Sequence, residues 1–321
     1  MTTSSRYSAQ TVLVDGIETV RLADAAAQVD VAIAPCVGNM AYEMKVRGRN
    51  ILWFPFDGPS GLRGRPSLCA VPFLGPWANR IDGEAYLVNG RMYQLNPALG
   101  NLRRDANQRP IHGLLNFSPL WKVIAQTADE SAASVSSRLE FWKFPDLMAQ
   151  FPFAHTVTMT YRLSNGVLEV ETAIVNLSVD PLPVAVGYHP YFRLHDAPRD
   201  AWKVHLAARE QMLLNEYLIP TGETHPNTFA DPYPLQGAQL DDVFGALDAP
   251  AKFWVEGQKE RITVTYGPKY PVAVVYAPAG RDFICFEPMS APTNAFNMDR
   301  QQSLAPGDTW KESFWIEATG F

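Results

Sequence analysis

Residues 155–178, HTVTMTYRLSNGVLEVETAIVNLS, alternate apolar and polar side chains on both sides of Ser164-Asn165-Gly166. This period of two is typical of β-strands that bury one face, and Asn-Gly tolerates the positive φ angles of a tight turn. The stretch therefore predicts a long β-hairpin. Three other stretches predict hairpins for the same reason: TVLVDGIETVRL at 11–22, AYLVNGRMYQL at 85–95 and KFWVEGQKERITVTY at 252–266.

Most of the chain outside these hairpins also has the pattern of short strands. VDVAIAPCV, AVVYAP, FICFEP and ESFWIEA suit strands, and long runs with a helical period of 3.6 are missing. The 26 prolines and 21 glycines lie mostly between the strands, as in sandwiches joined by irregular loops. We expect an all-β fold, a large antiparallel β-sandwich that forms one domain over residues 1–321. Residues 210–250 are weakly patterned and are expected to form a long loop over one face.

The composition argues against several classes of function. A net charge of −6 without a block of basic residues disfavours a nucleic-acid partner, because phosphate binding depends on clustered Lys and Arg. We expect no export signal in MTTSSRYSAQ and, without a run of about 18 apolar residues, no membrane span. The cysteines Cys36, Cys69 and Cys285 lack the spacing of a zinc or redox site and fit a reduced, cytoplasmic setting.

A histidine and a proline interrupt the strand-like run VAVGYHPYFRL at 184–194. In an extended chain His189 and Tyr191 share one face, while Phe192 lies on the opposite, apolar face with Pro190. Proline cannot donate to a sheet ladder, so the strand is predicted to be an edge strand or to break at the histidine. The pattern alone is compatible with a solvated strand face or with a histidine presented to a cleft.

Five segments combine polar residues with loops or strand ends. They are VPFLGPWANRIDG (71–83), RPIHGLLNF (109–117), VGYHPYF (186–192), QLDDVFG (239–245) and ICFEPMSAPTNAFN (284–297). In this order, across roughly residues 10–318, they resemble the aldose 1-epimerase (galactose mutarotase) family. The family pattern runs Asn-Arg, His-Gly, a histidine before an aromatic pair, an acidic residue and Glu-Pro. The resemblance implies a galactose mutarotase-like supersandwich and a small sugar as the partner.

The resemblance also implies a role for each matching residue. Glu287 is the expected general base for the anomeric hydroxyl, and His189 is the general acid for the ring oxygen. The residues expected to bind the sugar are Arg80, His112, Asp241, Asn79 and Tyr191, with Asp242 as an alternative to Asp241 because the register of that segment is open.

The reaction of this family needs only one acid and one base. Converting one sugar anomer into the other removes a proton at O1 and adds one at the ring oxygen, and no metal or redox cofactor takes part. Carboxyl and imidazole groups have ordinary pKa values of about 4.3 and 6.5, which leave a pH window with an ionised base and a charged acid. Neighbouring carboxylates are expected to widen this window by favouring the imidazolium. We predict a bell-shaped pH profile, no cofactor and no catalytic metal.

Several alternatives stay open. The sequence is also compatible with a hexose-6-phosphate 1-epimerase, since Arg63, Arg65, Arg103, Arg104 or Arg109 could bind a phosphate. A glycoside hydrolase or lyase, or a sugar-binding protein without turnover, is compatible with the same fold. Individual residues have plainer roles too: Arg80 could pair with Asp82 at the surface, His112 could cap a turn, and the acids could be solvated.

Overall fold

The computed structural model describes residues 5–64 and 67–321. The strands of the first part of the chain are β1 Tyr7–Val14, β2 Ile17–Asp24, β3 Val29–Ala34, β4 Met40–Val46, β5 Arg49–Asn50, β6 Phe73–Leu74, β7 Ala85–Val88, β8 Arg91–Gln94, β9 Lys122–Ala128, β10 Ala133–Glu140, β11 His155–Ser164, β12 Val167–Asn176 and β13 Leu182–Val184. The later strands are β14 Gly187–Tyr188, β15 Tyr191–Phe192, β16 Lys203–His205, β17 Ala208–Leu214, β18 Pro220–Pro226, β19 Tyr233–Pro234, β20 Leu240–Leu247, β21 Ala251–Glu256, β22 Arg261–Tyr266, β23 Val272–Ala277, β24 Ile284–Met289, β25 Gln302–Leu304 and β26 Thr309–Thr319. The helices are α1 Gly61–Gly64 and α2 Pro145–Gln150, with 3-10 turns at Pro97–Leu99, Phe141–Lys143 and Arg199–Ala201.

Two large sheets form the body of the molecule. One has nine strands in the order β19-β16-β21-β22-β26-β12-β11-β10-β9, and the other has eight, in the order β18-β17-β20-β23-β24-β14-β6 with β15 also paired to β24. Strands β1 to β5 form a third sheet, and β13-β25 and β7-β8 form two small ones. The strand pairs are antiparallel. The all-β antiparallel prediction is confirmed.

The two large sheets pack face to face over an aromatic core. Phe286 of β24 lies 6.0 Å from Phe253 of β21, measured between ring centroids. Tyr188 of β14 lies 4.8 Å from Phe314 of β26 in the same way. The main buried cluster contains side chains from strands along the whole chain, from Tyr7 of β1 to Ile316 of β26. The assignment of residues 1–321 to a single domain stays a prediction.

The four predicted hairpins are all present, as β1-β2, β7-β8, β11-β12 and β21-β22. In the β11-β12 hairpin, Asn165 and Gly166 have φ angles of 50° and 76°, as a tight turn requires. Strands β11 and β12 each bury every second side chain, which explains why the sequence of this hairpin was so informative.

The prediction of a long loop over residues 210–250 is wrong. Strands β17, β18 and β20 occupy about half of this segment and join the eight-stranded sheet. Strands β17 and β18 are exposed on both faces over much of their length, so their side chains carry no alternation of apolar and polar types. In β20 the pair Asp241-Asp242 replaces the apolar residues that would have marked a strand.

Candidate active site

A polar cleft lies on the face of the eight-stranded sheet that points away from the nine-stranded sheet. Asp241 of β20 is paired with Tyr276 of β23, Tyr276 with Cys285 of β24, and Cys285 with Tyr191 of β15. Cross-strand neighbours share a face of the sheet, so these four residues form one row. Glu287 lies two residues beyond Cys285 and therefore on the same face, opposite the buried Phe286.

All seven residues predicted for the site line this cleft. The cleft has a volume of about 210 Å³ and opens to the surface. The lining residues are Asn79, Arg80, Ile111, His112, His189, Tyr191, Asp241, Val274, Tyr276 and Glu287. The structure thus brings together residues that are up to about 200 positions apart in the chain; their individual roles stay predictions.

His189 lies in a break between two short strands, β14 and β15. Its backbone N–H donates to the Pro72 carbonyl at 3.1 Å, and its ring stacks on Tyr191 at 4.5 Å between centroids with a 7° angle. The His112 ring lies edge-on to the His189 ring, with 5.6 Å between the ring centroids. The predicted interruption at the histidine is confirmed, and so is the burial of Phe192 on the opposite face, against Phe286. Packing on both sides fixes the orientation of the imidazole.

Glu287 and His189 are in direct contact. Nε2 of His189 lies 3.1 Å from Oε1 of Glu287, and both side chains are buried, with 8% and 2% of their surface exposed. The second carboxyl oxygen of Glu287, Oε2, and Nδ1 of His189 have no hydrogen-bond partner among the described residues. Buried polar atoms are normally paired, so these unpaired atoms mark positions where a bound molecule can donate or accept.

Burial favours the neutral forms of both groups. Burial, with a smaller contribution from the charge of Arg103, lowers the pKa of His189 to about 3, against the opposing effect of a backbone hydrogen bond. Burial and the Asp241 carboxylate raise the pKa of Glu287 well above its ordinary value, against the opposing effect of Arg80. The expectation that neighbouring carboxylates would hold His189 as an imidazolium is therefore wrong for the free site, because desolvation is the larger effect. The two shifts favour a neutral pair in the free site, with the proton on the Glu287 carboxyl.

Arg80 is held by two acceptors. Its Nε donates to Asp105 Oδ2 at 2.6 Å and its Nη1 donates to Asn79 Oδ1 at 3.0 Å. Burial alone would raise the pKa of Asp105, but the hydrogen bond from Arg80 and two backbone N–H groups bring it below its ordinary value. The alternative partner Asp82 is wrong: its carboxylate pairs with Arg109 at 2.9 Å. Arg80 is thus an oriented residue of the cleft.

Asn79 and His112 both adopt left-handed backbone conformations, with φ angles of 57° and 63°. The N–H of His112 donates to the Asn79 carbonyl at 2.8 Å, so the two segments support each other. Burial and the nearby His189 ring lower the pKa of His112 well below its ordinary value. A neutral His112 can accept a hydrogen bond from a hydroxyl, and its Nδ1 has no partner among the described residues.

The structure distinguishes the two neighbouring aspartates. Asp241 lines the cleft, whereas Asp242 accepts from Gln211 Nε2 at 2.5 Å and from the Asp241 N–H at 3.2 Å. Burial and the neighbouring Asp242 raise the pKa of Asp241, although Arg80 opposes the shift. Asp241 was expected in a loop, and it lies instead on strand β20. The alternating geometry of the strand directs only one aspartate into the cleft.

Sequence reasoning missed several residues of the cleft. Tyr276 lines it beside Ile111 and Val274, and the Tyr276 ring is 6.0 Å from the His189 ring. The position of Asp105 behind Arg80 was also missed. Tyr276 belongs to the strand AVVYAP, in which an aromatic side chain is ordinary, so no sequence signal distinguished it. Asp105 lies 25 residues from Arg80, and only the folded chain brings them together.

No helix in residues 5–64 and 67–321 is both long and apolar enough to span a membrane. Within the same ranges no three His, Cys, Asp or Glu side chains are grouped so that they could hold a metal ion.

The fold is that of the galactose mutarotase-like proteins: a galactose mutarotase-like protein of Clostridium acetobutylicum superposes with a TM-score of 0.87 at 21% identity, covering 98% of this chain and 99% of that one. Galactose 1-epimerase of Lactobacillus acidophilus NCFM superposes with a TM-score of 0.77 at 17% identity, covering 98% and 100%. These identities establish the likeness of fold alone.

The chain belongs to the aldose 1-epimerase family, whose model matches residues 38–317. Among curated proteins it is similar to YihR of Escherichia coli K12, with 26% identity over 230 residues that cover 70% of each chain. It is also similar to YphB of the same organism, with 26% identity over 250 residues that cover 74% of this chain and 79% of the relative. The family resemblance seen in the five sequence segments is confirmed.

Proposed function

We propose that the protein is an aldose 1-epimerase that interconverts the α and β anomers of a reducing sugar. The contact between His189 Nε2 and Glu287 Oε1, at 3.1 Å within an open polar cleft, is the observation that carries this proposal. O1 and the ring oxygen of a pyranose are bonded to the same carbon, so an acid and a base that serve them must be neighbours.

The reaction begins from the neutral pair. Transfer of the carboxyl proton from Glu287 to His189 creates the carboxylate and the imidazolium that the reaction uses. The carboxylate then removes the proton from the O1 hydroxyl while the imidazolium protonates the ring oxygen, and the C1–O5 bond breaks to give an open-chain aldehyde. Rotation about C1–C2 presents the other face of the carbonyl. Reclosure reverses both proton transfers and restores the pair.

The rest of the cleft supports binding in this scheme. Arg80, His112 and Asp241 offer hydrogen-bond donors and acceptors for the sugar hydroxyls, and each lines the cleft. Asn79 orients Arg80 through its side-chain oxygen. The stacked Tyr191 supports the acid. Acid–base catalysis of this kind contributes typically about 10²–10⁴-fold per group.

Two other functions are compatible with a carboxylate-containing sugar cleft. A glycoside hydrolase would use a pair of carboxylates with a water molecule or nucleophile between them and the sugar. A sugar-binding protein would bind without turnover. The direct imidazole–carboxyl contact supports epimerisation over both, because neither hydrolysis by paired carboxylates nor simple binding uses it.

Polarimetry of freshly dissolved α-glucose and α-galactose tests the proposal. We expect the wild type to accelerate mutarotation, and Glu287→Gln and His189→Asn each to lose about 10²–10⁴-fold in kcat. Glu84→Gln is the matched control, because Glu84 pairs with Arg104 in an exposed bridge outside the cleft. Equal rates for wild type and both variants would favour a binding protein. Release of aglycone from a chromogenic glycoside, without faster mutarotation, would favour a hydrolase.

A further inference from the structure

The hairpin β17-β18 leaves the eight-stranded sheet halfway along its length. Strand β17 is paired with β20 between Ala208 and Gln211, and from Met212 onward this pairing has ended. The pairing of β17 with β18 continues, with a shift of register between Met212 and Leu214. The outer half of the hairpin, residues 212–224, is therefore no longer tied to β20 by backbone hydrogen bonds, and we call it the arm.

The arm lies against the cleft face of the eight-stranded sheet. Its residues Met212 and Leu214 pack against an apolar cluster made of Leu74, Ala78, Val243, Val272, Val274 and Met289. Val274 also lines the cleft, and it is the cross-strand partner of Glu287. The arm therefore borders the cleft on the side of β20 and β23.

A hydrogen-bonded turn at the tip of the arm presents Tyr217. The Asn215 N–H donates to the Ile219 carbonyl at 2.9 Å, and Asn215 Oδ1 accepts from the N–H groups of Tyr217 and Ile219 at 2.9 and 3.1 Å. The Tyr217 ring lies against the guanidinium of Arg109, with 3.8 Å between the ring centroid and Cζ. A cation this close to an aromatic face is attracted by the ring. The tip of the arm is thus attached to the segment that contains Arg109.

Arg109 and Arg80 share one carboxylate. The Arg109 N–H donates to Asp105 Oδ1 at 2.9 Å, and the Arg109 carbonyl accepts from the Asp105 N–H at 3.0 Å. The second oxygen, Asp105 Oδ2, accepts from Arg80 Nε at 2.6 Å. The same segment continues to Ile111 and His112, which line the cleft. A contact that holds Arg109 in place therefore also holds the carboxylate that orients Arg80.

The guanidinium of Arg109 is held by Tyr217 and by Asp82, whose carboxylate lies 2.9 Å from its Nε. We expect Tyr217 to contribute more, because Asp82 is 46% exposed and exposed ion pairs contribute little. These contacts argue against Arg109 as a phosphate-binding residue. Of the other arginines considered for a phosphate, Arg104 pairs with Glu84, Arg103 is not among the residues that line the cleft, Arg63 is exposed on α1, and Arg65 lies outside the described residues.

We propose that Tyr217 is a positioning residue: its ring holds Arg109 and, through Asp105, keeps Arg80 oriented toward the sugar. This inference rests on the epimerase function proposed above. Tyr217 is not among the residues that line the cleft, so it acts on the binding of the sugar and not on the proton transfers.

The test measures kcat and KM for mutarotation of α-glucose and α-galactose in the wild type and in variants at Tyr217. We expect Tyr217→Ala to raise KM by about 3–10-fold, as the strength of a cation–aromatic contact implies, and to leave kcat within about twofold. Tyr217→Phe keeps the ring and should behave as the wild type. Tyr217→Leu keeps bulk without an aromatic face and should behave as Tyr217→Ala. Glu216→Gln is the matched control, because Glu216 is the exposed neighbour in the same turn.

Two further variants test the route from Tyr217 to Arg80. Arg109→Gln removes the same contact from its other side and should reproduce the rise in KM, so it also serves if Tyr217→Ala does not fold. Once Arg80 is replaced by glutamine, Tyr217→Ala should raise KM by less than about twofold more, because the two residues then no longer act on each other.

An unchanged KM in Tyr217→Ala, an equal rise in Glu216→Gln, or a full effect of Tyr217→Ala in the Arg80→Gln background would overturn the inference and leave the epimerase function intact. A wild type that does not accelerate mutarotation would instead overturn the proposed function. Hydrogen exchange at the backbone amides of residues 105–112 then decides the role of Tyr217 without any sugar. Faster exchange in Tyr217→Ala than in the wild type, Tyr217→Phe and Glu216→Gln supports that role, and equal exchange in all four refutes it.

Discussion

The hydrogen bond between Arg80 and Asp105 leads to a quantitative prediction. Asp105 is 7% exposed and receives the Nε–H of Arg80, which is itself 14% exposed, at 2.6 Å. Replacing Asp105 by alanine leaves Arg80 with Asn79 Oδ1 as its remaining side-chain acceptor. The guanidinium can then leave the orientation in which it lines the cleft.

The size of the effect follows from the type of bond. A hydrogen bond between charged groups contributes about 1.5–3 kcal/mol. At roughly 1.4 kcal/mol for each factor of ten, complete loss of the orientation corresponds to a fall of about 10–150-fold in kcat/KM. Because Arg80 is predicted to hold sugar oxygens rather than to transfer protons, we expect most of this loss in KM.

The assay is polarimetry on a double-mutant cycle of Asp105→Ala and Arg80→Gln. If Asp105 acts through Arg80, then Asp105→Ala lowers kcat/KM by less than about twofold once Arg80 is already replaced. Asp82→Ala is the control. Its carboxylate pairs with Arg109 in an exposed bridge of the same region, with 46% of the Asp82 side chain exposed, and such pairs contribute about 0–1 kcal/mol.

Additive losses in the cycle would refute this reasoning, because they would show that Asp105 affects the rate without Arg80. An equal loss in Asp82→Ala would refute it too, since it would assign the effect to the segment as a whole. Thermal unfolding of each variant separates a change in the cleft from a change in stability.

Four further predictions test the site. Glu287→Gln should stabilise the fold above about pH 4.5, by up to about 1.4 kcal/mol per pH unit, because folded Glu287 keeps a proton that the unfolded chain releases as the pH rises; equal gains in urea unfolding at pH 4.5 and pH 7 would contradict this. On the acid side the rate should fall only near pH 3, where His189 becomes protonated while Glu287 still holds its proton. On the alkaline side it should fall when Glu287 loses that proton. An acid-side fall centred near pH 6.5 would contradict this prediction. Gly113→Ala should cost about 2–4 kcal/mol in thermal unfolding, because its Cβ would lie 2.2 Å from the Gly75 carbonyl oxygen; an unchanged Tm is the contrary result. EDTA should leave the mutarotation rate unchanged, whereas inhibition reversed by added metal would show that the metal-free mechanism is wrong.

The strand pattern made much of the fold predictable. Where a strand buries one face, as in β11 and β12, the side chains alternate and the turn residues mark the ends. The pattern was uninformative for β17 and β18, because a hairpin exposed on both faces imposes no such alternation. The prediction of a loop there follows from that absence of pattern.

Seven of the ten residues that line the cleft were also predictable, but the electrostatics of the cleft were not. Five segments identified His189 and Glu287 because the family resemblance depends on residue types in order. The pKa of each group depends on how deeply the fold buries it, and only 8% of the His189 side chain is exposed. The partner of Arg80 depends on which carboxylate the fold brings within reach, and Asp82, two residues away, was a wrong choice for that reason.

The row formed by Asp241, Tyr276, Cys285 and Tyr191 ties the cleft to the registration of four hydrogen-bonded strands. A slip of a single residue in β24 would exchange the inner and outer sides of that strand, turning Glu287 toward the aromatic interior and Phe286 toward the sugar. Lengthening a connection between strands would leave the row untouched. The spacing of these cleft residues therefore depends on the strand register and not on the length of the connecting segments.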